Sequence, residues 1–411
     1  MSRSLYIFAL AGVVSAAAIA GACSASTDET GFGDTGGGGS DTSGDSKSGQ
    51  TSTGVGGVDF AGANGTGTGA SNACAHAASE DGDMDGFTGA DGDCNDCDAN
   101  VNPGAIEVVA TEEVDGGIPE PADEDCDGMV DNVAALCDDA IALEDGDPKN
   151  AARAIDLCQE AVGKKWGVES AAYVRADGTP ASAGLEVGIL DGFGPNVSVQ
   201  LGKRMLGISS GYARTATQPG NCGGISCSVN GAGVAPAGFP QDVPNCVGGT
   251  NINDDIGLEV KLKSPTNATG YSFLFRFYSF EYPEWVCTTF NDQFIALVEP
   301  QPMGSINGNI SFDSMLNPVS VNVAFFDVCD GCPAGTAEMQ DTGFNVWDDA
   351  GGTSWLKTTA PIKGGDEVTI RFAIWDTGDT AWDSTALIDG FQWIANGGTV
   401  GVGTVPDPDP K

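Results

Sequence analysis

Carboxylate side chains recur where apolar strand patterns end. Over residues 271–277 every second residue is aromatic, which predicts a strand with one strongly apolar face, and the same parity places Glu281 on that face. Two later strands lead in the same way to Asp376 and Asp389. Carboxylates gathered at a core edge repel one another, so they need protons, basic partners or a cation, unless each caps a loop through backbone N–H groups. The candidate cation ligands at this edge are Glu281, Asn291, Asp292, Asp376, Asp383 and Asp389.

A second group of acids has the spacing of the front half of a calcium loop. Asp81, Asp83 and Asp85 stand at positions 1, 3 and 5, and Gly86 stands at position 6, where such loops bend sharply. A run that begins at Asp123 repeats the pattern and adds an acid at position 9. We therefore expect Ca²⁺ as cofactor, with the ligands Asp81, Asp83, Asp85, Phe87, Asp93, Asp123, Asp125, Asp127 and Asp131.

Neither run is a complete EF-hand loop. Gly92 and Ala134 occupy position 12, where a bidentate Glu is expected. Further ligands must come from elsewhere, and Asp93, Asp96 and Asp98 are the candidates. Residues 73–147 contain 23 Asp and Glu and no Lys or Arg. A solvated acidic linker is the alternative interpretation.

The charge balance excludes several classes of partner and of chemistry. The 411-residue chain has a formal net charge of −41 from 58 acidic and 17 basic residues. Such a charge repels nucleic acid and anionic membrane surfaces, and it favours cation binding. The single histidine, His76, removes most histidine-based catalysis. Because no complete catalytic constellation is found, we expect no enzyme activity.

The 13 cysteines indicate an oxidising compartment. Two pairs, Cys94 with Cys97 and Cys329 with Cys332, have the spacing of zinc knuckles or redox centres. In an exported chain we expect them to form structural disulfides instead. Further disulfides are expected between Cys137 and Cys158, Cys222 and Cys227, and Cys246 and Cys287.

The N-terminus has the pattern of an export signal. Arg3 precedes an apolar stretch, and a small-residue cleavage context ends at Cys23. This pattern resembles a bacterial lipoprotein signal with Cys23 as the acylated residue; an ordinary cleaved signal peptide is the alternative. Ser24 resembles outer-membrane sorting in Gram-negative bacteria. The Gly/Ser/Thr-rich residues that follow are too polar to fold and predict a tether.

The remaining chain is expected to be mainly β. Asp147 before Pro148 marks a helix start, residues 133–143 have the pattern of a shorter helix, and short strands separated by Gly, Pro and Asn follow from Trp166. The predicted fold is a two-sheet β-sandwich preceded by an acidic calcium-loop spacer and a short helical hairpin. Its parts are a signal peptide (1–23), a disordered tether (24–72), an acidic metal-binding region (73–132), a helical hairpin (133–165), the β-sandwich (166–400) and a disordered tail (401–411).

Two stretches resemble known families. EYPEWVCTTFND, which begins at Glu281, and TIRFAIWDTGDTAWDSTALIDGFQW, residues 369–393, are similar to the choice-of-anchor L domain of bacterial surface proteins over residues 184–400. The resemblance implies a jelly-roll-like β-sandwich on a cell-surface anchor, without an established activity. DGDMDGFTGADGDCNDCDANVNPGAIEV and DEDCDGMVDN resemble a MopE-like metal-binding motif. Val109 replaces the cysteine usual after the Glu-Val pair, Cys97 is extra, and residues 110–122 form a longer insert.

These features predict a lipid-anchored, calcium-binding cell-surface protein with an adhesive, binding or envelope-structural role, attached to the outer membrane of a Gram-negative bacterium. Its partners would be that membrane and a polysaccharide or surface protein, and not nucleic acid. One alternative is a carbohydrate-binding module with sugar-stacking aromatics at Tyr282, Trp285, Trp375 and Trp382. Another is a secreted glycoside hydrolase that uses Glu281 and Asp376. Metal storage or copper capture is disfavoured because clustered His and Met are absent.

Overall fold

The computed structural model describes residues 76–109, 121–323, 325–346, 350–395 and 398–411. The predicted signal peptide (1–23), with Cys23, and the tether (24–72) lie outside the described residues. Within the described ranges, no helix combines the length and the apolar character that crossing a bilayer requires.

Antiparallel strands form two sheets. One sheet has the order β1-β4-β11-β6-β7, and the other has the order β13-β10-β5-β12-β3-β2, with β9 added beside β5 and β8 beside β9. The strands are β1 Gly167–Val174, β2 Val187–Leu190, β3 Met205–Ser209, β4 Ile252–Lys263, β5 Gly270–Ser279, β6 Gln293–Glu299, β7 Val319–Ser320, β8 Phe326–Val328, β9 Gly351–Thr353, β10 Leu356–Pro361, β11 Glu367–Thr377, β12 Ser384–Ile394 and β13 Gly403–Pro406. The α-helix α1 covers Pro148–Arg153, and 3₁₀ turns cover Gly89–Asp91, Ala337–Met339 and Phe344–Val346.

The aromatic alternation of β5 fills the space between the sheets. Phe273, Phe275 and Phe277 are fully buried there with apolar residues of both sheets. The ring of Phe273 meets Phe372 of β11 edge-on, with centroids 4.9 Å apart. A core shared by two antiparallel sheets is a β-sandwich, so the predicted fold class is confirmed.

The other face of β5 is buried as well. Tyr278 packs in a second cluster beside Phe344, with ring centroids 5.4 Å apart. The guanidinium of Arg276 lies 5.9 Å from the ring centroid of Trp355, and Arg276 is only 1% exposed. Period-two alternation identified the inner face of β5, whereas the outer face is covered by the chain between β8 and β10.

The acidic region packs on the sandwich and is not a free spacer. The side chain of Asn267 accepts the N–H of Ile106 at 3.0 Å and donates to its carbonyl at 2.8 Å. Trp166 Nε1 donates to the carbonyl of Ala105 at 3.1 Å. Both parts lie in the same compact unit, Gly69–Lys411. The docking is made largely of polar groups that satisfy each other.

The predicted helical hairpin is wrong. Asp147 caps α1 as expected, but α1 ends after six residues, and Asp156 then adopts a left-handed φ of 72°. Residues 133–143 contain no helix. Val133 and Leu136 are 79% and 47% exposed, so a helix there would have no apolar face to bury.

One further expectation fails at a sheet edge. In the tail, expected to be disordered, β13 pairs with the open edge of β10, and Thr404 lies 2.8 Å from Thr358 between their hydroxyl oxygens. The Gly-rich and Pro-Asp composition gives no local strand signal. β13 is ordered by its pairing with β10, which is distant in sequence.

The cysteines among the described residues form disulfides. The bonded pairs are Cys94–Cys126, Cys137–Cys158, Cys222–Cys227, Cys246–Cys287 and Cys329–Cys332. Cys97 is disulfide-bonded too. Since a disulfide sulfur is not a thiolate ligand, the zinc-knuckle interpretation of the Cys-x-x-Cys pairs is not supported. Cys94 pairs with Cys126 and not with Cys97, so the expected local pairing of Cys94 and Cys97 is wrong.

Candidate metal centres

The run from Asp81 folds as a tight loop around the carboxylate of its first acid. Asp81 accepts the N–H groups of Met84 at 2.7 Å and Gly86 at 3.0 Å. Met84 and Gly86 have φ angles of 66° and 95°, which turn the chain back on itself. Asp85 accepts the N–H of Phe87 at 2.7 Å with one oxygen, and its other oxygen has no donor. The backbone thus fixes the carboxylates without saturating them.

Five carboxylates converge at this first loop. Oxygens of Asp81, Asp83 and Asp85 lie within 4.8 Å of one another. Asp83 also groups in this way with Asp93 and Asp96. One oxygen on each of Asp83, Asp85 and Asp93 is buried without a hydrogen-bond donor. Burial, reinforced by the neighbouring carboxylates, raises the pKa of Asp85 to about 6 and also raises that of Asp93. This arrangement suits a hard, oxygen-preferring cation.

The run from Asp123 repeats the backbone bonding of the first loop. Asp123 accepts the N–H groups of Asp127 and Gly128, both at 3.0 Å. Asp127 at position 5 accepts the N–H of Met129 at position 7 at 2.7 Å, the bond seen between the same positions of the first loop. Cys126 and Gly128 have φ angles of 55° and 91°, again at positions 4 and 6. The two loops are therefore conformational repeats, joined by the disulfide of Cys126.

Glu107 is a residue that the sequence prediction missed. Its two oxygens accept the N–H groups of Asp125 at 3.2 Å and Asp131 at 2.8 Å. An oxygen of Glu107 lies within 4.8 Å of oxygens of Asp123 and Asp125, and another such group joins Glu107 to Glu124 and Asp131. Burial raises the pKa of Glu107 to about 7. The available signal was the Glu-Val pair in the stretch that resembles a MopE-like motif.

Three predicted ligands of the acidic region lie outside these converging groups of carboxylates. Both oxygens of Asp127 accept donors from its own loop. Asp98 accepts the backbone N–H and side-chain amide of Asn100. The ring of Phe87 is buried, with Lys164 Nζ 5.1 Å from its centroid. A backbone-ligand role for Phe87 stays a prediction.

Glu281, Asp292 and Asp376 lie together at one end of the sandwich. They are 2%, 0% and 1% exposed. The Asp292 carboxylate accepts the N–H of Thr377 at 2.9 Å and the hydroxyl of Ser384 at 2.6 Å, and its carboxyl contacts that of Asp376. Glu281 Oε2 accepts the N–H of Asp292 at 3.3 Å. The acids at the ends of β5 and β11 thus meet through Asp292, just before β6.

Burial dominates the electrostatics of this cluster. It raises the pKa of Glu281 to about 11 and that of Asp292 to about 7, and it raises the pKa of Asp376 well above its usual range. Neighbouring carboxylates repel in the same direction. The cluster therefore has to hold protons or a cation.

Two predicted ligands lie beside this cluster with partners of their own. Asp383 accepts the N–H of Cys227 at 2.9 Å. Burial raises the pKa of Asp383 to about 7. Asn291 accepts the side-chain amide of Asn322 at 2.8 Å. These contacts match the alternative that single acids and amides hold loops in place.

Asp389 lies apart from the cluster, contrary to the expectation of a common edge. It follows Ser384 by five residues on β12, about 16 Å along an extended strand. Leu387 belongs to the outer cluster and Ile388 to the core between the sheets, so Asp389 shares the outer face with Leu387. There it neighbours Asp156.

The aromatic residues proposed for sugar stacking pack against other aromatic side chains of the protein. Trp375 is fully buried, with its ring 6.1 Å from that of Phe239. Trp285 and Trp382 pack edge to face at 5.7 Å. Since the acids Glu281 and Asp376 are also buried, a glycosidic oxygen cannot reach them, and the hydrolase alternative is not supported.

A cavity of about 910 Å³ separates part of the acidic region from the sandwich. Its lining includes the partly exposed rings of Trp166 and Trp393 and the carboxylates of Glu107 and Asp125. Aromatic faces beside a candidate cation loop form a mixed polar and apolar lining, as small-molecule sites have.

Comparison with known proteins gives one family. No curated protein and no solved structure matches the chain. The family model of the choice-of-anchor L domain matches residues 206–392, which extend from β3 to β12 and include the buried carboxylate cluster. Over that part of its sandwich the chain is similar to choice-of-anchor L domains, a similarity that indicates a surface-associated protein.

Proposed function

We propose that this chain is a surface-associated binding protein whose acidic region, residues 73–132, binds two calcium ions, one in each loop. The observation that carries the proposal is the set of buried oxygens on Asp83, Asp85 and Asp93 that have no hydrogen-bond donor. Donor-free carboxylates that converge within 4.8 Å are costly unless a cation or protons neutralise them. The oxygen-only ligand set favours calcium over softer metals.

Calcium would act by fixing the acidic region on the sandwich. Lys164, just before β1, donates to the carbonyl of Gly86 at 2.6 Å and pairs with Asp91 at 2.9 Å. Cys94–Cys126 transmits order from one loop to the other. Neutralising the loop carboxylates therefore stabilises the backbone to which Lys164 binds.

The proposed setting is the cell surface. A lipid on Cys23 and the tether of residues 24–72 would hold the folded part away from the outer membrane. The rigid, strongly acidic surface would then serve adhesion or envelope contact. Radiolabelling with a fatty acid, compared between the native protein and Cys23→Ala, tests the anchor.

Calcium should stabilise the protein, and Asp83→Asn should remove one of the two loop sites. If a loop binds with a dissociation constant near 10⁻⁴ M, about 10 mM calcium adds about 2.7 kcal/mol per site. We expect calorimetry on the full-length protein to show one calcium fewer for Asp83→Asn. The rise in Tm between EDTA and calcium should shrink in parallel.

Asp98→Asn is the matched control for this prediction. It removes the same charge from the same region, but Asp98 is outside the converging group and exposed. Its calcium stoichiometry should equal that of the native protein. Equal stoichiometry in Asp83→Asn and Asp98→Asn would contradict binding in the first loop.

A second candidate function is oligosaccharide binding in the cavity between the acidic region and the sandwich. The partly exposed rings of Trp166 and Trp393 favour it. We expect Trp393→Ala to weaken binding of any glycan found on an array by about tenfold or more, whereas Trp285→Ala, at the other aromatic pair, leaves it unchanged. Equal losses in both variants would rule out the cavity.

A further inference from the structure

The second loop, which begins at Asp123, opens onto the cavity between the acidic region and the sandwich. Oxygens of Glu107, Asp123 and Asp125 lie within 4.8 Å of one another, and Glu107 and Asp125 also line the cavity. The carboxyls of Glu107 and Asp125 contact each other, and the N–H of Asp125 donates to Glu107 at 3.2 Å. An ion bound by these three carboxylates would therefore lie at the wall of the cavity.

Ala134 leaves such an ion incompletely coordinated. It occupies position 12 of the second loop, where a complete loop has a bidentate Glu, and it is an exposed residue of the same cavity wall. The three converging carboxylates offer one oxygen each, whereas calcium takes about six to eight oxygen ligands. Coordination positions of the ion are therefore left for oxygens of a molecule in the cavity.

Two tryptophan rings of the cavity wall are fixed in position. Trp393 of β12 packs edge-on against Tyr271 and Phe391, with ring centroids 6.0 and 5.1 Å apart. Trp166, just before β1, is held by the hydrogen bond from its Nε1 to the carbonyl of Ala105. Both rings are partly exposed. Fixed aromatic rings bury apolar area at little cost in conformational entropy, and they suit the apolar faces of sugar rings.

The charges of the cavity wall favour an uncharged ligand. Among the described residues of the lining, Glu107, Asp125, Asp127 and Asp156 are acidic, and Lys165 is the one basic residue. One calcium ion offsets only two negative charges, so this wall, in a chain of net charge −41, still repels an anion. Adjacent hydroxyls of a neutral sugar, in contrast, offer oxygen ligands without adding charge.

We propose that the cavity binds a neutral oligosaccharide through the calcium ion of the second loop: two adjacent hydroxyls of one sugar unit coordinate the ion, and sugar rings stack on Trp166 and Trp393. Such binding rests on the calcium site proposed above for the second loop. The cavity, of about 910 Å³, has the size of small-molecule sites, which commonly measure about 300–1,000 Å³. Calcium is then a contact to the ligand as well as a stabiliser of the fold.

The test probes an array of neutral and of uronic-acid oligosaccharides with the full-length protein, in calcium and in EDTA. Calorimetry with the strongest neutral binder then gives the affinity. We expect a neutral oligosaccharide to bind best in calcium, and EDTA or Asp125→Asn to weaken its binding by about tenfold or more. Asp98→Asn is the matched control: Asp98 is exposed and outside the converging groups, so its variant should bind as the native protein does.

Ala134→Glu separates this mechanism from a loss of folding. Glutamate at position 12 supplies the missing ligand and fills the open coordination positions. Calcium should therefore bind at least as tightly, while the affinity for the neutral oligosaccharide falls by about tenfold or more.

Three outcomes of the array would overturn the proposal and leave the two loop sites standing: no neutral oligosaccharide binds in calcium, binding is equal in calcium and EDTA, or the uronic-acid oligosaccharides bind better. Failure of the proposed function has a different signature. If Asp125→Asn binds as many calcium ions as the native protein, the second loop is not a calcium site.

Discussion

Replacing Asp389 with Asn is expected to make the loss of stability between pH 4 and pH 7 less steep by about 1.4 kcal/mol per pH unit. Asp389 is fully buried, and burial, reinforced by Asp156, raises its pKa to about 8. Burial likewise raises the pKa of Asp156 to about 7. In this pH window the unfolded chain releases the proton near pH 4, whereas the folded chain keeps it. Rising pH therefore favours unfolding until the folded group ionises.

Asparagine is uncharged at every pH, as protonated Asp389 is. In the variant, the folded chain therefore no longer binds one proton more than the unfolded chain at this position. The measurement is urea unfolding in EDTA at intervals from pH 4 to pH 8. Asp139→Asn is the control, since the Asp139 side chain is 67% exposed and pairs with Lys203 at the surface. Its pH slope should equal that of the native protein. An unchanged slope in Asp389→Asn would mean that the folded protein ionises Asp389 at the usual pH.

The sandwich could be predicted because its signal is local and repeated. Phe273, Phe275 and Phe277 alternate on one strand, and short strands separated by turns continue to β12 with no α-helix among the described residues of this stretch. The hairpin prediction failed because helical spacing in residues 133–143 has meaning only if the apolar face is buried. Here Val133 and Leu136 are exposed, and the residues that this segment buries in the core come later, in and just after α1.

The residues of the candidate sites also divide into those that the sequence could identify and those that it could not. The loop acids from Asp81 and Asp123 could be found because their ligands are close in sequence. Glu107 could not be assigned by spacing, because it reaches its loop across 18 residues. Asp389 was misplaced since parity fixes a face of one strand but not the level along the sandwich, and β12 buries both of its faces.

Arg276 shows the limit of parity most clearly, because the alternation places it on the face of β5 opposite the phenylalanines and says nothing of what covers that face. It is instead 1% exposed. Its Nε donates to the carbonyl of Thr353 at 2.8 Å, and its guanidinium pairs with Glu338 and lies 5.3 Å from the ring centroid of Tyr278. The chain between β8 and β10 is thus fastened over the sheet by one cation.

Arg276→Ala is expected to destabilise the protein by about 3–5 kcal/mol. The substitution leaves the Thr353 carbonyl without its guanidinium donor and opens a cavity beneath Trp355, and both costs fall in the buried layer. Glu338→Gln is the control: the Glu338 side chain is 36% exposed and glutamine can still accept the bond, so the cost should stay below about 1 kcal/mol. Urea unfolding at one pH measures both. Near-equal costs for the two variants would show that the ion pair, and not the buried guanidinium, holds this layer.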